Sequence, residues 1–188
     1  MREAEDEDAL DVRELVPVEG GTWGGLLFDN PRVGLAPHLT WSFRFPFEEV
    51  IRDYGSSQIF LDIEWLPLPG ASWGNMTGQA IRGVGEPAES SVCFFQHHQY
   101  DLIDLEIVEQ RDLWIHARAT LTGDLDGLGM DPVTADAWLR FTGIRVYLSD
   151  ITSAESALAR LQEFTAPEGL SYTPTPNSPS FRFEPADS

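Results

Sequence analysis

The sequence predicts a mainly β protein of the α+β class: an antiparallel β-sandwich, or a strongly curved antiparallel sheet, with one late α-helix packed on it. Three observations lead there. Residues 100–149 read as three successive strands, in which Ile103, Leu105 and Ile107 alternate with Asp104 and Glu106, and Ile115, Ala117, Ala119 and Leu121 alternate with Trp114, His116, Arg118 and Thr120. Such period-two alternation marks a strand with one buried face, because successive side chains of an extended chain point to opposite sides. Upstream, shorter runs of the same kind are separated by glycine and proline. Helical spacing is clear only over residues 153–164, and no strand–helix alternation points to a doubly wound sheet.

Residues 1–14 form an acidic arm, expected to be mobile with a frayed helix over 3–15, and Pro17, Gly20 and Gly21 end it. Residues 22–29 (TWGGLLFD) make the first strand, weakened by two glycines and closed by Asn30-Pro31. In 39–47, Leu39, Trp41, Phe43, Phe45 and Phe47 share a face, and Pro46, which has no N–H, implies an edge or a strand end. Residues 48–54 (EEVIRDY) fit one or two helical turns. A strand over 57–66 turns Ile59, Leu61, Ile63 and Trp65 one way, Asp62 and Glu64 the other. Residues 72–85 suggest a bulged strand and 92–96 a short apolar one. Thr152 or Ser153 caps the helix, whose apolar stripe is Ala154, Leu158, Leu161 and Phe164. Residues 15–170 are thus expected to form one globular domain. Residues 171–188 are an extended tail whose Phe181 and Phe183 can lie against the sheet.

Six Trp and eleven Phe in 188 residues demand a packed core. The lone Cys93 forms no internal disulfide, and neither a basic–apolar leader nor an apolar run of spanning length is visible, so a cytoplasmic protein is expected. The net charge is −19, all 12 basic residues are arginine, and residues 1–14 hold seven of the 31 acids and two of the arginines. The remainder therefore still carries −14. A field of that sign repels nucleic acid and anionic membrane and attracts basic proteins.

Motifs that carry chemistry are weak. Asp124, Asp126, Gly129 and Asp131 resemble the front of a calcium loop, but Leu128 and Ala135 stand where further oxygen ligands belong. Cys93, His97, His98 and His116 lack the spacing of a zinc site, and a buried cysteine with surface histidines explains them. No metal or cofactor is expected. Asp62 with Glu64, and Asp104 with Glu106, each project two acids from one strand face, which serves hydrolysis only if two of them meet across a cleft. Trp114, His116, Arg118, Trp138 and Arg140 fall on the polar face of the central strands, where either a second layer covers them or they anchor a partner. The expected function is a non-enzymatic acidic binding protein that sequesters a basic protein partner, most concretely an immunity protein neutralising a toxin. Its expected partner-binding residues are Asp104, Glu106, Trp114, His116, Arg118 and Trp138. The alternatives are a carbohydrate- or small-ligand-binding β-domain using Trp73, Trp114 or Trp138, and a carboxylate-dependent hydrolase.

Overall fold

The structure, a computed structural model, describes residues 9–176 and 178–186. Eight strands come first: β1 (Gly21–Asn30), β2 (Leu35–Arg52), β3 (Gly55–Leu66), β4 (Ala80–Val84), β5 (Glu89–Phe94), β6 (Gln96–Arg111), β7 (Trp114–Asp124) and β8 (Val133–Tyr147). The helix α1 (Ala154–Leu161) follows, then β9 (Leu170–Thr173) and β10 (Phe181–Pro185).

Strands β1, β2, β3, β5, β6, β7 and β8 are neighbours in that order, and β8 pairs in parallel with β1, which closes seven strands into a barrel. Strand β4 pairs with β6 alongside β5, and β10 and β9 extend outward from β8. The mainly β class with one helix is as expected. In place of a sandwich or a strongly curved antiparallel sheet, the strands close into a barrel with one parallel pairing, and the reason lies in β8. Its first half pairs with β7 as far as Arg140↔Trp114; its second half, from Leu139 to Tyr147, pairs with β1 on one side and, over Ile144–Val146, with β10 on the other. A strand twice the usual length bridges two partners that periodicity alone does not connect.

The alternation over 100–149 is met residue by residue. Ile103, Leu105, Ile107, Ile115, Ala117 and Leu121 are buried, while Asp104, Glu106, Trp114, His116 and Arg118 face outward. The barrel is filled unevenly: Trp23, Trp41, Phe43, Phe45 and Phe47 from β1 and β2 share the interior with the small Ala117, Ala119 and Ala135 of β7 and β8. Trp23 stands 4.5 Å from Phe141 and 5.7 Å from Trp41, ring centre to ring centre. Large side chains against small ones let a narrow barrel pack without voids.

Three local expectations are overturned. Residues 48–54 are not helical; β2 runs to Arg52 and pairs with β3 out to Arg52↔Gly55, because cross-strand hydrogen bonds outlast a two-turn helix that has little to propagate it. Pro46 lies inside β2, opposite Phe60 and beside a register shift to Glu49. A bulge tolerates the missing donor. Trp65 does not share the buried face of Ile63. The β2–β3 register advances by one extra residue there, so both Glu64 and Trp65 face out, Leu66 takes the interior position, and Trp65 adopts φ 55°.

Of the acidic arm, residues 1–8 lie outside the described residues. Leu10 is buried, residues Val12–Glu14 form a 3-10 turn capped by Asp11, and Glu14 pairs with Arg52 at 2.8 Å. Ser153 caps α1, accepting from the Ser156 amide at 3.2 Å, and Ala157 and Leu161 are buried. In the tail Phe183 is buried through β10. Among the described residues no helix is long and apolar enough to cross a membrane.

Gly143 shows how tightly β10 is laid on the barrel. Its φ of +107° disfavours a side chain, and a Cβ there would overlap the Phe183 carbonyl. Gly143→Ala is expected to lose more than about 2 kcal/mol in urea denaturation, from strain and displaced backbone together. Gly34→Ala, at φ +74° with open space around it, is expected to lose only about 1 kcal/mol. Equal losses would mean that β10 yields freely.

Candidate functional site

The six residues expected to bind a partner do come together on the outer face of β6, β7 and β8. Glu106 is opposite Arg118, Arg118 opposite Asp136, and His116 opposite Trp138. Among the described residues no second sheet layer lies over them, since the barrel is closed and Trp114 remains 40% exposed. The face is, however, already compensated. Arg82 reaches Asp104 and Glu106 at 3.7 Å, and the Gly83 amide donates to Asp104 at 2.7 Å. Arg118 donates to Asp136 at 2.9 Å, and His116 Nε2 hydrogen-bonds the same carboxylate. Burial pushes the Asp136 carboxyl up, but these two partners outweigh it and hold it below the usual range. Trp138 has two ring partners: His116 stacks at 5.3 Å, and the Arg111 guanidinium lies 4.9 Å from its ring. Alternating charges that satisfy one another leave little net field on this face.

The aspartates of 124–131 organise their own loop. Asp124 accepts from the amides of Gly127 at 2.9 Å and Gly129 at 2.7 Å, Asp126 from Gln99 at 2.7 Å, and Asp131 from Gly123 at 3.0 Å. Carboxylate oxygens turned to backbone N–H groups are not converging on a cation. Among the described residues no group of three His, Cys, Asp or Glu side chains is placed to hold a metal ion. Beneath the loop the Tyr100 hydroxyl donates to the Met130 carbonyl at 2.7 Å; burial, helped by Asp124 and Asp131, pushes its pKa far up and keeps the proton on.

Cys93 and His97 are closer than a single strand allows. The chain turns at Phe95, so the two are direct cross-strand partners in the β5–β6 hairpin. Burial pushes the Cys93 thiol up and Asp62 adds to it, so the thiol stays neutral; His97 hydrogen-bonds Ser91 Oγ at 3.1 Å instead. His98 is buried, contrary to the expected surface position. Trp73 is occupied as well, stacked on Phe141 at 5.2 Å and donating to the Ala166 carbonyl at 2.9 Å. Asp62 is held by Arg44 through two bonds of 2.7 and 2.8 Å. With Glu64 it lines clefts that Asp104 and Glu106 do not reach, so those two pairs of acids do not meet.

Sequence patterning missed a different site. At the barrel end where β1 stops, a cleft of about 820 Å³ is lined by Phe28, His38, Trp65, Glu86, Glu89 and Asp101, with Leu35 and Leu125 exposed at its margin. Phe28 and His38 are cross-strand partners with ring centres 4.1 Å apart, and Phe28 lies 6.4 Å from Trp65. Glu86, Glu89 and Asp101 make no ion pair with any described residue. The outward turn of Trp65 depends on the β3 bulge, for which the alternating pattern of 57–66 gives no signal. A second cleft of about 340 Å³ lies on the outer barrel face beyond Trp65, over β1 and β2, walled by β3 on one side and by β8 and β10 on the other. Compared with known protein families, curated proteins and solved structures, the chain matches none.

Asp124→Ala is expected to lower stability by about 1–2 kcal/mol, through its orphaned amides, in urea denaturation at neutral pH. The Asp124 carboxyl is pushed up by burial but pulled further down by backbone N–H groups, so its folded pKa lies below the ordinary value. Its contribution is therefore present above about pH 4 and lost as pH falls through the folded value. Millimolar calcium is expected to leave the melting temperature unchanged; a rise would restore the cation reading.

Proposed function

We propose that the chain is a non-enzymatic acidic binding protein that sequesters a basic protein partner, with an immunity protein bound to a cationic toxin as the most concrete form. The observation that carries this is the barrel-end cleft, where the exposed Trp65 and the half-buried Phe28 and His38 are rimmed by the uncompensated acids Glu86, Glu89 and Asp101. Aromatic faces attract guanidinium and ammonium groups, and nearby carboxylates add a charge-assisted hydrogen bond. The body's net charge steers a basic partner from a distance, and the cleft offers its basic side chains a place to dock.

The β6–β8 face is the weaker docking point, because Asp104 and Glu106 are already answered by Arg82 and Glu106 is faced by Arg118. Immobilised protein is expected to retain a basic protein from a lysate of its native organism and to release it as salt rises. Glu86→Arg with Glu89→Arg is expected to weaken that retention by about tenfold or more, mainly through slower association. Asp104→Arg with Glu106→Arg should have a much smaller effect. Retention indifferent to salt and to the first pair would overturn the proposal, and loss confined to the second pair would move the interface to β6–β8.

A further inference from the structure

A like-charge pair stands at each wall of the outer-face cleft, acidic at one and basic at the other; Glu64, Arg145 and Arg182 line the cleft, and Glu89 lies just beside it. Glu64 on β3 is the direct cross-strand partner of Glu89 on β5. Arg145 on β8 is the direct partner of Arg182 on β10. Directly opposed like charges destabilise a sheet, and this chain pairs most of its arginines with acids. Yet Glu64, Glu89 and Arg145 make no ion pair with any described residue, while Arg182 is held by Glu184 at 2.8 Å and the Thr142 carbonyl at 3.2 Å. Arg44, between the walls, is neutralised by Asp62.

Both walls are shaped by irregularities in the ladder. On β3 the extra residue at Glu64-Trp65 turns both side chains outward; on β8 the register with β1 shifts where Thr142 and Gly143 together face Gly24. Bulges re-aim side chains and often flank functional sites. Here two of them border one cleft whose floor includes Gly24, Gly25 and Ser42.

The spacing selects the occupant. From β8 through β1 and β2 to β3 are three strand steps, about 14 Å between the backbones that carry the two charge pairs. A polyanion meets Glu64 and Glu89, and a polycation meets Arg145 and Arg182. An extended peptide of three or four residues, at about 3.4 Å each, spans the gap with one charge at either end. We propose that this cleft binds a short extended peptide, its carboxylate at Arg145 and Arg182 and its amino end at Glu64, with Glu89 adding to the negative field from the next strand. The site is distinct from the docking of a basic protein at the barrel end, although Trp65 lines both clefts and Glu89, which lines the barrel-end cleft, stands beside Glu64.

The test uses tetra-alanine as the probe, with affinity from calorimetry and position from the amide shifts of Gly24 and Gly25. Free tetra-alanine is expected to bind saturably. Its C-terminal amide and its N-acetyl form should each bind about tenfold more weakly, the ordinary worth of a charge-assisted hydrogen bond, and alanine itself should not bind. Arg145→Gln should erase the difference between acid and amide, and Glu64→Gln the difference between free and acetylated amine. Arg32→Gln, which lines none of the clefts, should behave as the parent chain. Absence of saturable shifts with free tetra-alanine, or equal binding of the capped and free peptides, overturns the proposal without reference to any variant. Because neither Arg145 nor Glu64 is among the residues reversed in the lysate experiment, failure here leaves the basic-partner proposal standing, and the converse holds too.

Discussion

The parallel pairing of β1 with β8 is the contact on which the barrel depends. It joins Trp23 to Phe141 and Leu27 to Val146, more than a hundred residues apart in the chain. Without it β1 and β8 would be open edges, and Trp23, Leu27 and Phe141 would lose the enclosure that leaves them almost wholly buried. Such a pairing costs loop-closure entropy before it gives any packing in return. The antiparallel hairpins β2–β3, β5–β6 and β6–β7, by contrast, pair across short connections and carry a much smaller loop-closure cost.

Charge on the surface is divided by how fully it is answered. Along β6–β8, arginine and acid alternate from strand to strand and satisfy one another. At the barrel end and on the outer cleft the alternation stops: Glu64 faces Glu89, and Arg145 faces Arg182. The net charge of −19 therefore does not describe a uniform acidic shell. It describes a surface on which paired charges and unpaired charges such as Glu64, Glu89, Asp101 and Arg145 form different patches, and the unpaired ones have the most charge left to offer another molecule.

The sequence made the regular parts of this fold legible. Ile103, Leu105 and Ile107, or Ile115 to Leu121, alternate because each strand has one dry face, and the helix announces itself through the Ser153 cap and the burial of Ala157 and Leu161. What stayed hidden was non-local or irregular. Closure of the barrel depends on where the second half of β8 finds its partners. The run EEVIRDY has helical spacing, yet pairing with β3 overrides it. Cys93 and His97 are brought opposite each other by a turn at Phe95 that the apolar run of 92–96 does not announce. The six residues expected to form one surface do form one, but their mutual neutralisation depends on Arg82 and Asp136, which belong to strands whose register was not evident. The outward turn of Trp65, and with it both clefts, follows from one extra residue in β3. A one-residue shift of register moves a side chain from core to surface, and no alternating pattern reports it.

Closure leaves the sheet with few places where another strand could add. The seven barrel strands hydrogen-bond to neighbours on both sides over much of their length, and the described strands outside that ring are short: β4 has five residues, β9 four and β10 five. Of these, β9 is the last strand of its side and shows the solvent an unpaired backbone edge. Its brevity limits how many hydrogen bonds an intruding chain could make there, which is a common defence against edge-to-edge aggregation. The same short appendage that packs Phe183 onto the barrel thus also helps keep a strand-rich protein from polymerising through its own backbone.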